Sequence, residues 1–319
     1  MNEKAGRLAH FPVSFFSVVM GLSGLAIAWG KASEVFGVSE SVHHSLGYVA
    51  LVVFVLLAAM YTAKLMRYPD MVRKELNHPV KLSFVPTISI GLILLSICLV
   101  NLHPALSKGM WLAGTVLQLI LTLFVVGRWI NHGHFEVHHM NPAWFIPAVG
   151  NILVPIVGVK YAGVETAWFF FSVGIVFWLV LMTMVYYRMF FHNPLPDMLA
   201  PTLFILIAPP AVGFVSYMKI TGSFDGFAHV LYYTALFLVL LLATMLPKFF
   251  RLKFFLSWWA YSFPLAAVTI ATLVMFQQTG ELLFQWLSWG LLVTTSILIA
   301  GLALRTIVAI SQHGICLPE

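Results

Sequence analysis

The sequence comprises 319 residues, of which 61% are hydrophobic and only 9% charged, with a formal net charge of +6. Soluble domains average about 25% charged residues, so a soluble globular chain is excluded and a polytopic membrane protein is implied. The basic excess reads as topology rather than nucleic-acid binding, because Lys and Arg are retained in cytoplasmic loops.

In chain order, apolar runs long enough to cross a bilayer predict ten spans: 11–30, 45–66, 83–102, 109–130, 144–160, 165–190, 198–218, 227–247, 254–276 and 281–305. The first follows Lys4 and Arg7 and contains Ala26-x-Ala28, but it is long for the apolar region of a signal peptide and is read as a span. Connections are short, which predicts one all-α transmembrane domain over 1–319. Cys98 lies in an apolar run and Cys316 in the tail, so neither a disulfide framework nor a metal spacing is implied.

Orientation follows from the basic residues. The N-terminus, the loops after even spans and the C-terminal end hold Lys4, Arg7, Lys64, Arg67, Arg73, Lys74, Lys81, Arg128, Arg188, Lys248, Arg251, Lys253 and Arg305. Loops after odd spans hold only Lys31, Lys108, Lys160 and Lys219. Thirteen against four predicts both termini on the cytoplasmic side.

Proline shows a second alternation. Pro12, Pro86, Pro147, Pro155, Pro201, Pro209, Pro210 and Pro264 all fall in odd spans, whereas even-span interiors have none and are rich in Leu, Val and Phe. This predicts five tandem hairpins, each with one bent and one straight helix. The five bent helices share a direction and form an inner ring around a pore; the straight ones form an outer belt facing lipid. The ninth span is apolar throughout after Lys253. It is interrupted at Phe263-Pro264 and continues with small or short residues such as Ala266, Ala267 and Thr269.

No Asp or Glu lies mid-span. Proton-coupled carriers and cation channels mark their paths with buried carboxylates, so a neutral lumen remains. Its inner mouth is flanked by Lys and Arg and by the positive ends of parallel helices, a field that favours anions.

The segments FPVSFFSVVMGLSGLAIAW, HPVKLSFVP, NPAWFIPAVGNI, LIAPPAVGFVSY and WWAYSFPLA resemble the tellurite-resistance/dicarboxylate transporter family, which includes TehA-like bacterial proteins and the slow-type anion channels of plant guard cells. The similarity runs across nearly the whole chain. It implies ten helices with five inner ones around each protomer's own pore, a homotrimer, residence in a bacterial inner (cytoplasmic) membrane, and a gate at the last Phe of the aromatic-rich segment, which is Phe263. A ring in a narrow neutral pore blocks sterically and by dewetting.

Ser17, Thr87, Pro147, Asn151, Pro209 and Pro264 are the further pore-lining candidates, as polar or kink-forming positions on odd spans. For the hydroxyls, a bond to the residue's own helix backbone competes with that role; Asn151 could instead join two helices. His134 and His138 have i, i+4 spacing, a weak metal signal in a segment whose default reading is a solvated cytoplasmic loop. The loop from Arg67 to Glu75 is amphipathic and expected at the headgroup level, against anionic lipid. There is no nucleotide loop, cofactor fingerprint or nucleophile–base pair, and nothing suggests an enzyme. The expected function is passive permeation of small monovalent anions such as nitrate and chloride. The alternative is a secondary carrier or efflux protein for C4-dicarboxylates, sulfite or tellurite.

Overall fold

The computed structural model describes residues 6–131, 135–312 and 314–316. Among these, every regular element is helical. Nine helices are long and apolar enough to cross a membrane: Val13–Phe36, Ser41–Arg67, Lys81–Leu99, Pro104–Asn131, Pro155–Phe191, Ala200–Thr221, Gly226–Ala243, Leu256–Thr279 and Leu282–Ser311. A shorter apolar helix, Pro142–Leu153, precedes the fifth of these.

The fifth and sixth predicted spans meet inside Pro155–Phe191. At Gly163 the backbone turns to φ 81°, ψ 176°, outside helical space and within the region that only glycine adopts readily. The chain reverses there, because Gly174 packs directly against Ile152. Along one straight helix those residues would lie about 33 Å apart. Pro142–Leu153 continued through 155–162 therefore forms one leg of a hairpin, and 164–191 forms the other.

The alternation expected from proline placement is present as an alternation in burial. In the first, third, seventh and ninth spans 67–78% of the apolar window is buried, against 17–39% in the second, fourth, sixth, eighth and tenth. Pro142–Leu153 is buried everywhere except Gly150, which is half-buried. Contacts run from the first span to the third, third to fifth, fifth to seventh, seventh to ninth and ninth back to the first, which closes a ring of five. The outer helices pack on their hairpin partners and expose large apolar side chains such as Leu56, Leu123, Phe237 and Ile297. A surface of that character is stable only against lipid or another apolar chain.

The bend in the inner spans has a specific form. Each begins as a 3-10 turn and continues as α-helix: Val13–Phe16 into Ser17–Phe36, Lys81–Phe84 into Thr87–Leu99, Ala200–Ile207 into Ala208–Thr221, and Leu256–Tyr261 into Ser262–Thr279. The fifth alternates 3-10 and α before Pro155 opens its last segment. Proline concentrates at these starts, where its missing N–H has no intrahelical partner to lose. Pro264 is the third residue of its α-helix, which directly follows the 3-10 turn, so the interruption expected at Phe263-Pro264 falls at the change from 3-10 to α. Hydroxyls reinforce the 3-10 geometry by bonding carbonyls three residues back: Ser17 to Ser14 (2.6 Å), Thr87 to Phe84 (2.6 Å), Thr202 to Leu199 (2.6 Å) and Ser262 to Trp259 (2.6 Å).

Candidate functional site

The five 3-10-to-α transitions surround a cavity of about 330 Å³ at the basic end of the bundle. All five inner spans line it, through residues such as Met20, Thr87, Leu153, Val212 and Phe263, and no outer span contributes. The connecting segments supply its rim, with Glu75, His78 and Lys81 as the titratable side chains of the lining. The walls are otherwise aliphatic and aromatic with a few hydroxyls.

A second, wholly apolar cavity of about 40 Å³ lies further along the ring, lined by two residues or more from most inner spans, among them Ile97, Ile156, Val215 and Ile270. Phe263, Leu153 and Val212 line both spaces. Phe263 therefore stands in the partition between them, 8% exposed, on the second residue of its α-helix. The fit is tight on one side: a β-carbon added at Gly24 of the first span would lie 3.2 Å from Phe263 Cδ2 and 2.9 Å from Ala266 Cβ. The absent side chain at Gly24 is what lets the first and ninth spans close on the ring, a role that the sequence reading missed. The run Gly21-x-x-Gly24 is the signal that could have shown it, since small residues three or four apart mark close helix approach in membranes.

Of the other expected lining residues, Ser17, Thr87, Pro209 and Pro264 border the larger cavity. The Ser17 and Thr87 hydroxyls also donate to their own backbone, so the two readings weighed for them are compatible. Pro147 and Asn151 are corrected: neither borders either cavity. They face the fourth span, where the Pro147 carbonyl accepts from Gln118 Nε2 (2.9 Å) and Thr122 Oγ1 (2.7 Å), and Asn151 Nδ2 donates to Thr122 Oγ1 (2.9 Å). Gln118 Oε1 in turn accepts from Ser89 Oγ (2.7 Å). The polar side chains of the fifth span thus join helices, because an amide left without a partner in an apolar bundle is costly.

The metal reading of the histidine segment falls partly outside the described residues. His134 lies outside the described residues; His138 is exposed and its Nδ1 is 3.2 Å from Glu136 Oε2. No cluster of three or more potential ligands occurs among the described residues. The amphipathic segment expected as a loop is mostly helical, Pro69–Asn77, with Arg73 and Lys74 exposed; Glu75 is corrected as well, since it folds inward, 5% exposed, onto the cavity rim.

Electrostatics favour an anion at this end. Helix dipoles point their positive ends toward the chain direction's start, and all five inner spans start at the cavity. The Ser17, Thr87 and Ser257 hydroxyls of the lining already donate to backbone carbonyls, so oriented helix dipoles supply much of the field.

A family model described as voltage-dependent anion channel, SLAC1, matches residues 10–307. The chain is 29% identical to the S-type anion channel SLAH3 of Arabidopsis thaliana over 279 residues, 85% of this chain and 44% of that protein. It is 30% identical to SLAH2 of the same plant over 274 residues, 83% of this chain and 53% of that protein. The chain thus spans about half the length of these curated relatives. Similarity to the tellurite resistance protein TehA homolog of Haemophilus influenzae is 26% over 303 residues, and covers 94% of this chain and 91% of that one.

Proposed function

Since the chain belongs to the voltage-dependent anion channel family and is a multi-pass membrane protein, we propose that it is an anion channel. In this reading small monovalent anions pass through the ring of five inner helices, and Phe263 is the plug. The observation that supports this is that Phe263, with Leu153 and Val212, borders both of two spaces enclosed by the same five helices. Anions gather at the basic end, attracted by helix dipoles and basic side chains. The Phe263 ring closes the path by its volume and by keeping the apolar section dry; once turned, it presents its positive edge rather than its negative face to a passing anion.

By the positive-inside rule the larger cavity opens to the cytoplasm, and both chain ends lie there. The likeness to the TehA homolog of Haemophilus influenzae supports residence in a bacterial inner membrane; the homotrimer with a pore in each protomer is carried over from the family resemblance. A carrier would need two bodies rocking about a midplane site, and a closed five-helix ring offers no such division.

The test is planar-bilayer recording of the purified protein beside Phe263→Ala, with chloride and nitrate as charge carriers. Truncating the ring joins the two cavities. The variant is expected to conduct constitutively, with unitary steps, while the parent is largely shut. Equal currents in both would remove the plug assignment, and saturable transport without unitary steps would favour a carrier.

A further inference from the structure

The cavity rim carries one acidic side chain among the described residues, Glu75, and it is fully engaged. Its Oε1 accepts the Val13 backbone N–H (2.8 Å) at the 3-10 start of the first inner span. Its Oε2 accepts from Lys64 Nζ (2.8 Å) and Tyr61 Oη (3.0 Å) on the second span. Lys64 donates as well to the Phe11 carbonyl (2.7 Å) and lies 5.4 Å from the Tyr61 ring centroid. Both charges are withdrawn from solvent, Lys64 at 3% and Glu75 at 5% exposure. Glu75 borders the cavity, whereas Lys64 does not.

A buried ion pair is seldom a net source of stability, because desolvating two charges offsets their attraction. This one also puts a carboxylate beside the path on which an anion would travel. At the first inner span it holds the place at the helix's positive end that a mobile anion would otherwise take. With Lys64 alongside, the two charges cancel at the distance of a permeating ion. Without Lys64, a bare negative charge would face the vestibule in a medium that screens it poorly.

We propose that the Lys64–Glu75 pair determines charge selectivity at the basic mouth: Lys64 masks the Glu75 carboxylate, and the balance between them sets how strongly the vestibule prefers anions over cations. This rests on the anion-channel reading. A pair serving only to fasten the Pro69–Asn77 helix to the first span would lose stability when broken and leave the permeability ratio unchanged. A selectivity pair moves the ratio in opposite directions according to which charge is removed.

The experiment measures reversal potentials under a potassium chloride gradient, with all variants in the Phe263→Ala background so that current is present. Lys64→Met is expected to lower the chloride-to-potassium permeability ratio by about tenfold, the effect of a unit charge several ångström from the ion path. Glu75→Gln is expected to raise it, and the double variant to return to within about twofold of the parent. Ratios unchanged in both single variants, or shifted in the same direction, overturn the proposal. Should Lys64→Met not yield folded protein, Glu75→Gln decides alone, and an unchanged or lowered ratio is the overturning result. Absence of chloride current from both the wild type and Phe263→Ala overturns the channel reading together with this inference; a conducting Phe263→Ala protein whose ratios stay unmoved by the further substitutions overturns the inference only.

Discussion

The Phe263 ring rests against the bare backbone of Gly24, with room between the first and ninth spans for a hydrogen but not for a methyl group. Adding that methyl as Gly24→Ala puts Cβ 3.2 Å from the ring and 2.9 Å from Ala266 Cβ, so the ninth span and the ring it carries must give way. Overpacking of this size costs about 1–3 kcal/mol. Single-channel recording should show a lower open probability in Gly24→Ala than in the parent. In the Phe263→Ala background the contact with the ring is gone while the 2.9 Å contact with Ala266 Cβ remains, so the effect of Gly24→Ala on open probability should be lost there and its destabilisation kept.

Permeability should follow the cost of shedding water. The hydroxyls bordering the larger cavity at Ser17 and Thr87 already donate to Ser14 and Phe84, and the smaller cavity is apolar. An anion entering it gains few new hydrogen bonds and carries its dehydration cost uncompensated. Reversal potentials are expected to rank nitrate above chloride and both far above sulfate. A series that rises with hydration energy would contradict a neutral, donor-poor lumen.

The polar seam between the third, fourth and fifth spans should be a matter of stability alone. Gln118→Ala removes the acceptor for Ser89 and one of two donors to the Pro147 carbonyl, all three residues being buried. Ser89 retains the Pro86 carbonyl as acceptor and Pro147 retains Thr122, so the loss should be about 1 kcal/mol rather than that of an abandoned polar group. Thermal denaturation in detergent should show a midpoint lower by a few degrees, with unchanged anion selectivity.

Asp225, between the seventh and eighth spans, caps the helix Gly226–Ala243 through the backbone N–H groups of Phe227 and Ala228. The Tyr217 hydroxyl, followed by the Ala228 N–H, holds its carboxyl below the ordinary aspartate value. A depressed folded pKa stabilises fully above the unfolded value of about 3.9 and is lost as pH falls through the folded value. Below about pH 4 the parent's melting midpoint should therefore decline more steeply than that of Asp225→Asn, which keeps a cap without the titration.

Much of the architecture was legible because it rests on features that one chain carries in itself. Proline marked the inner spans through its missing N–H, and the outer spans were recognisable from unbroken runs of Leu, Val and Phe. The reversal at Gly163 fell in the gap between two apolar runs. The site was less legible, since lining depends on which way a residue faces. Pro147 and Asn151 occupy the correct span but turn toward Gln118 and Thr122, and periodicity is blurred where a span alternates between three and 3.6 residues per turn. Glu75 was assigned to the surface because its neighbours Arg73 and Lys74 belong there. Its inward turn requires Val13, 62 residues away in sequence, and a contact that distant has no local signature.

Because the ring of helices closes within a single polypeptide, each copy is self-sufficient whatever number of them associate. Mixing intact protein with a permanently blocked variant should dim the total signal in simple proportion to the mixture. A defective neighbour would have no poisoning effect, unlike its effect in assemblies whose conduit is shared among subunits.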